Sequence, residues 1–212
     1  NIYPTKTLLH NICLITPSHQ NHRPLLLVGP GGCGKESLLR YYAFQNNIHL
    51  ISHQCHASTT PSDIILVLLQ HSVLQQLSSR NGQSIVVPSL SNPSEQLILL
   101  IKDVNLVRPD KYNSCTLISF LHQLFTYGGY YNKEQEFVTL SDKIQICLSI
   151  SENRRESYKL CDRLTSLLSI VCIDFGRRED NIAIGLSVWN EENDDGNGIV
   201  TFVVDLCEVV RR

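Results

Sequence analysis

Methionine is absent from all 212 residues, the first position included. The simplest expectation is a segment cut from a longer polypeptide. Cys-x-x-Cys pairs are also absent. The eight cysteines, at 13, 33, 55, 115, 147, 161, 172 and 207, stand apart, several inside apolar runs. That distribution argues for buried free thiols in a reducing compartment rather than disulfides. No Asn-x-Ser/Thr acceptor occurs, in keeping with an intracellular location. No apolar run approaches a membrane span, and the first residues lack the pattern of a signal peptide. A net charge of −2 gives no general attraction to polyanions, so neither nucleic acid nor a membrane is an expected partner. With 42% hydrophobic residues, the chain suits one large soluble domain, alone or with a small appendage.

What is present is a glycine-rich turn. Leu25 to Val28 is a short apolar run, and Gly29-Pro30-Gly31-Gly32-Cys33-Gly34-Lys35 follows it. A buried strand, a glycine turn, a lysine and a helix start make the phosphate loop Gly-x-x-x-x-Gly-Lys-[Ser/Thr]. Glycines allow backbone N–H groups to converge on a phosphate, the helix start adds its positive end, and Lys35 reaches the outer phosphates. A strand–helix turn without ligand is the bland alternative. Glu36 stands where the magnesium-holding hydroxyl belongs. Its ordinary reading is a first-turn carboxylate favoured by the helix dipole, and Mg2+ is only weakly supported. Ser37 comes next, but one step along a helix turns a side chain by about 100°.

Around the loop, strands alternate with helices. Residues 1–23 read as a polar lead-in with Pro4, Pro17 and a short apolar piece, Leu8 to Ile15. Leu38, Leu39, Tyr42 and Ala43 form an apolar stripe after Lys35. Ile48–Ser52 is a second strand. Thr60-Pro61-Ser62-Asp63 starts a helix whose apolar pattern runs to about Leu77. Residues 78–94, with Ile85-Val86-Val87 inside, suit a loop or hairpin. Leu97–Ile101 is a strong strand, and Asn113 or Ser114 caps a helix through Leu124 and Phe125. Tyr127 to Tyr131 turns the chain, and Phe137-Val138 pairs back as a hairpin, a role that suits these tyrosines better than base stacking. A strand at Ile144–Ile150, a helix near Leu160–Leu167, a strand at Ile170–Asp174 and a helix at Glu179–Trp189 follow. Glu191–Gly198 is an acidic loop before an unassigned end. The alternation predicts an α/β fold with a mostly parallel three-layer sheet. His53, Cys55 and His56 suit a strand-end polar cluster, since alternate strand residues face opposite ways, and no metal is expected.

The strand at Leu97–Ile101 ends in Lys102-Asp103. In phosphate-loop folds a neighbouring strand ends in Asp, often Asp-Glu, which hold the metal shell and orient water. Here Lys102 takes the first place. Asp103 is either a shortened stand-in for the second or a turn residue.

From Lys102 to Tyr112 the sequence Lys-Asp-Val-Asn-Leu-Val-Arg-Pro-Asp-Lys-Tyr resembles the Walker B region of dynein heavy chains. Phe120 to Tyr131 resembles their F-L-x-Q-x-x-x-Y-x-G-[FY]-Y helix and hairpin, Ala57-Ser58-Thr59-Thr60 their Ser-Ala-x-Thr-Thr segment, and Ile144-Gln145-Ile146 their sensor-1 strand. The resemblance covers roughly residues 24–180 and looks most like a third AAA+ module of the dynein-2 class. It implies an AAA+ domain with a central parallel five-stranded sheet, a β-hairpin insert and a partial lid at the C-terminus. Residues 1–23 would be the lead-in, 24–176 the large α/β subdomain and 177–212 the start of the lid. It implies a regulatory module that binds ATP or ADP at Gly29 to Lys35, with Glu36 and Ser37 beside it. Asp103 becomes a degenerate Walker B acid, Ser151 stands at the sensor-1 position usually held by Asn, and Arg163 matches an arginine finger acting in trans, with Arg154 and Arg155 as competitors. Glu36, Lys102 and Ser151 all depart toward weaker chemistry, so hydrolysis is expected to be slow or absent. Neighbouring AAA+ modules of the same heavy chain are the implied direct partners. Light and intermediate chains and microtubules would be engaged through other regions, in the cytoplasm, cytoskeleton and cilium. A stand-alone kinase or GTPase and a nucleotide-free ring module are the alternatives. No Asn-Lys-x-Asp motif or arginine-rich lid supports the first.

Overall fold

The computed structural model describes residues 4–76, 84–88, 96–132, 135–152 and 157–189. In chain order the elements are α1 (Lys6–Gln20), β1 (Leu25–Gly29), α2 (Lys35–Gln45), β2 (His49–Gln54), α3 (Pro61–Gln70), β3 (Ser72–Gln76), β4 (Ser84–Pro88) and β5 (Leu97–Lys102). A 3₁₀ turn (Val104–Leu106) leads to α4 (Thr116–Tyr127), β6 (Gly129–Tyr131), β7 (Phe137–Leu140), β8 (Ile144–Ser151), α5 (Asp162–Thr165), β9 (Ser169–Cys172) and α6 (Arg178–Trp189).

β2, β5, β8, β1 and β9 lie side by side in that order as one five-stranded sheet, every pair parallel. Its central strands are apolar on both faces, which a sheet covered on both sides requires. The alternation within each strand assigns the faces. Leu26, Leu97, Leu99, Ile101 and Leu148 pack with Ile64 and Leu68 of α3, Leu121 of α4 and Leu164 of α5. Leu25, Leu27, Ile98 and Leu100 pack with Ile15 of α1 and Leu39 and Tyr42 of α2. Helices on both faces of a parallel sheet make the expected three-layer α/β architecture. β8 inserts between β1 and β5, which brings Gly29, Lys102 and Ser151 to one edge at the carboxyl ends of the strands. In open parallel sheets that edge is where ligands bind.

A second sheet, β3-β4-β7-β6, contains the expected hairpin of β6 and β7. β4 adds to β7 in parallel and β3 closes the sheet antiparallel to β4. Residues 77–83 and 89–95 lie outside the described residues, as does everything expected of 190–212.

Several local expectations change. The lead-in is largely helical: Thr5 caps α1 by accepting from the Leu8 N–H at 3.2 Å. Pro17 sits inside the helix, despite the hydrogen bond it removes. Leu8, Ile12 and Ile15 share a face against the sheet and offset that loss. The apolar run after Thr60 is divided, with the helix ending at Gln70 and a strand beginning at Ser72. α4 is capped by Cys115 without a side-chain bond. Asn113 and Ser114 instead build the preceding turn, where Asn113 has φ 61° and the Asp110 N–H donates to the Ser114 carbonyl at 2.7 Å. The helix near 160–167 shrinks to α5, with Leu160, Leu164 and Leu168 buried in the core. The last strand of the sheet lies at 169–172 rather than 170–174, although the Ile173 N–H still donates to the Val28 carbonyl at 2.7 Å.

The seven described cysteines are free, but only Cys55 and Cys147 are buried, and Cys13, Cys161 and Cys172 are exposed. Burial pushes the Cys55 and Cys147 thiols up to about 12, which keeps them protonated and unreactive.

Candidate functional site

The loop between β1 and α2 is dictated by backbone geometry. A Cβ on Gly29 would lie 1.9 Å from the Ile173 carbonyl oxygen, so only glycine lets β1 end against the segment after β9. Gly34 has φ +89°, a left-handed conformation that turns the chain into the N-terminus of α2. Lys35, the first residue of α2, is 9% exposed. Its Nζ donates to the Gly29 carbonyl at 2.8 Å and the Pro30 carbonyl at 2.7 Å, and lies 3.7 Å from the Cys33 Sγ. The ammonium is thus folded into the loop that it would serve.

Glu36 and Lys102, the two departures from the motif, meet. The Glu36 Oε2 accepts from the Lys102 Nζ at 3.0 Å, and its Oε1 accepts from the Arg40 Nη2 at 2.6 Å. Hydrogen bonds from Arg40 and then Lys102 hold the Glu36 carboxyl below its usual value. The first-turn carboxylate is therefore one centre of a three-residue ionic cluster and not a solvated end. Glu36 and Arg40 line a cavity of about 370 Å³ with Ser52.

Asp103 and Ser151 also come together. The Ser151 hydroxyl donates to the Asp103 Oδ1, and the Gln54 Nε2 donates to Oδ2 at 2.7 Å. Asp103 itself has φ 53° and ψ 49°, so it does end the strand as a turn residue. Its N–H points to the Ser149 Oγ at 3.4 Å. Asn105 is buried, donating through Nδ2 to the Ser151 carbonyl at 2.9 Å, while its Oδ1 has no partner. The ends of β2, β5 and β8 are thereby tied together by neutral donors around one carboxylate.

A cavity of about 320 Å³ touches the loop at Gly32, Cys33, Gly34 and Ser37, and extends between α1 and α6. Small-molecule sites span about 300–1,000 Å³. Ser37, not Glu36, is the side chain of the first turn that faces it. Leu8, Leu38 and Ile173 give apolar walls, and Thr5, Asn11, Asp174, Asp180 and Asn181 the polar groups. Asp180 is buried and accepts from the Thr7 hydroxyl. Thr5, Asn11, Asp180 and Asn181 escape the sequence reading because they belong to the lead-in and to the helix after the last strand, far from any motif, and Asp174 reads there only as a strand end. The visible signal is Thr5, a cap before an apolar stripe.

Residues 1–176 match the family described as the P-loop containing dynein motor region. The chain belongs to the dynein motor family. It is 33% identical over 179 residues to a cytoplasmic dynein 2 heavy chain 1 from Chlamydomonas reinhardtii, covering 83% of this chain and 4% of that protein. It is 37% identical over 164 residues to the human protein of the same name, covering 76% and 4%. With a cytoplasmic dynein heavy chain from Caenorhabditis elegans it shares 30% over 145 residues, covering 68% and 3%. The chain thus spans only a few per cent of the length of these dynein heavy chains. A P-loop module of a dynein implies nucleotide binding and further AAA modules in the same heavy chain.

The remaining candidate of the dynein motif, Arg163, lies elsewhere. It is exposed on α5 and lines a larger cavity, about 660 Å³, with Asn105, Tyr158 and Asp162, and that cavity shares no lining residue with the one at the loop. Arg154 and Arg155 lie outside the described residues. Of the trio His53, Cys55 and His56, the two histidines stay near each other and near Asp63, while Cys55 turns inward. Cys55 is in the core, and His56 contacts the Ser58 hydroxyl at 3.0 Å. Burial lowers the His53 pKa, and the Nε2 of His53 has no partner.

Proposed function

We propose that this chain is a nucleotide-binding AAA+ module of a dynein heavy chain, the third in its ring and of the dynein-2 class, with little or no ATP hydrolysis of its own. The phosphates of ATP or ADP would take the loop Gly29 to Lys35 through the N–H groups of Gly31 to Lys35, and the nucleoside the cavity between α1 and α6, with Ser37 at the junction. Residues 1–23 would lead into the module, 24–176 form the large subdomain and 177–212 start the lid. The observation that carries the low activity is Asp103. Both of its carboxylate oxygens already accept hydrogen bonds, from Ser151 and Gln54. A base that is engaged twice and lies at a turn is poorly placed to activate water. Arg163, exposed and remote from the loop, would serve as a finger to the nucleotide of the preceding module. The names of the relatives support a cytoplasmic dynein; the resemblance of the motifs extends the reading to a motor of the cilium, with retrograde intraflagellar transport as its work and microtubules and accessory chains met through other modules.

The test is ATP turnover by the intact heavy chain with its first module disabled. The expected result is residual turnover that Lys35→Ala leaves unchanged. Robust hydrolysis abolished by Lys35→Ala overturns the proposal. One observation favours a purely structural module instead: Lys35 is bonded to the carbonyls of its own loop. ADP retained by the purified chain, and lost in Lys35→Ala, decides for the nucleotide.

A further inference from the structure

Lys102 and Glu36 are separated by 66 positions and lie on different elements, yet their charged ends are 3.0 Å apart. In a standard phosphate-loop site these two positions carry a hydroxyl and a carboxylate, and both serve one divalent ion. Magnesium demands oxygen ligands in octahedral array at about 2.0–2.1 Å. Lys102 offers only donors and a positive charge. Both oxygens of Glu36 are already engaged by cations, Oε1 by Arg40 and Oε2 by Lys102, which a divalent ion would have to displace or crowd. The metal does not fit these residues.

The charges explain how the site manages without it. A neutral hydroxyl, one carboxylate and a divalent cation leave one positive charge. So do the Glu36 carboxylate, the Lys102 ammonium and the Arg40 guanidinium. The pair is partly withdrawn from water, with side-chain exposures of 24% for Lys102 and 30% for Glu36, so its field is only partly screened. The cluster is anchored at both ends, by the first turn of α2 and by the end of β5, and Lys35 precedes Glu36 directly.

We infer that this module holds its nucleotide without a divalent metal, the Lys102 ammonium on Glu36 standing in for the ion as a built-in cation. This rests on the nucleotide reading above. ADP and ATP then bind as metal-free anions, and chelators do not release them. Free nucleotide, with its full negative charge, is preferred to its magnesium complex, because the complex would bring a second cation against Lys102 and Arg40.

Calorimetric titration of the 212-residue chain with ADP, in EDTA and in excess MgCl2, tests this. The expected affinity in EDTA equals or exceeds that in magnesium, within about twofold. Binding that is about tenfold or more tighter with magnesium overturns the inference and leaves the nucleotide reading standing. No binding in either buffer overturns the nucleotide reading itself. The double variant Glu36→Thr/Lys102→Asp restores the metal ligands and is expected to lose about tenfold in affinity when magnesium is removed. Lys102→Met keeps the stem and removes the charge. It is expected to weaken metal-free ADP binding about fivefold or more, and unchanged binding counts against the built-in cation.

Discussion

Glu36 makes a pH prediction at the scale of one carboxylate. Its two cationic partners lower its folded pKa below the ordinary 4.5. The carboxylate therefore stabilises the fold fully above about 4.5, where the unfolded chain is also ionised, and the contribution fades as pH falls through the lowered folded value. Urea midpoints measured from about pH 3 to about pH 7 should fall toward the acid end in the native chain, and Glu36→Gln should flatten that fall. Arg40 makes the larger contribution to the lowered value and Lys102 the next, but the Arg40 arm is 62% exposed, so solvent screening limits it to about 0.2–1 kcal/mol of stability. This pairing is illegible in the sequence. Each residue reads as an isolated departure from a motif, and nothing local indicates that a helix start and a strand end two strands away from β1 point at each other. The Asp103–Ser151 contact is half legible: both positions were marked by the motif, but the amide of Gln54 that completes it was not.

Among the elements, α3 has the best-defined start. The Thr60 N–H and hydroxyl both donate to the Asp63 Oδ2, at 2.8 and 2.9 Å, and the Asp63 N–H returns toward Thr60, a capping box behind Pro61. Thr60→Ala should cost about 1 kcal/mol, read as a shift in denaturant midpoint with unchanged slope. The start was legible because capping chemistry is local. The end was not: Val73 and Leu74 continue the apolar run, and their strand state comes from pairing with Val87 and Val86, contacts that no helical periodicity can report. The same distinction explains the rest of the sheet. Leu25–Gly29 and Leu97–Ile101 announce themselves as doubly covered strands, whereas α1 hides behind Pro17 and its polar residues. Gln145, only 6% exposed inside β8, looks misplaced until paired with His19 of α1 and the Arg23 carbonyl, which satisfy it.

At the scale of the molecule, two cores separated by a sheet make unfolding of either face expose a thiol: Cys55 in the first core and Cys147 in the second. Thiol labelling at neutral pH should modify exposed Cys13, Cys161 and Cys172 at once. Cys55 and Cys147 should react only at the rate of opening, and together if the domain unfolds as one unit. Separate rates would show that the faces open independently. The Glu36–Lys102 contact has a consequence of a different kind, in the order in which such a site can change. Lys102→Asp alone sets a carboxylate against Glu36, and Glu36→Thr alone leaves two cations with no anion between them. Each step in isolation passes through a worse protein, so the path back to a metal-dependent site needs both changes at once. On the proposed metal-free reading the ion pair works as a ratchet: stepwise mutation can tune the pair, but one substitution alone does not rebuild both metal ligands.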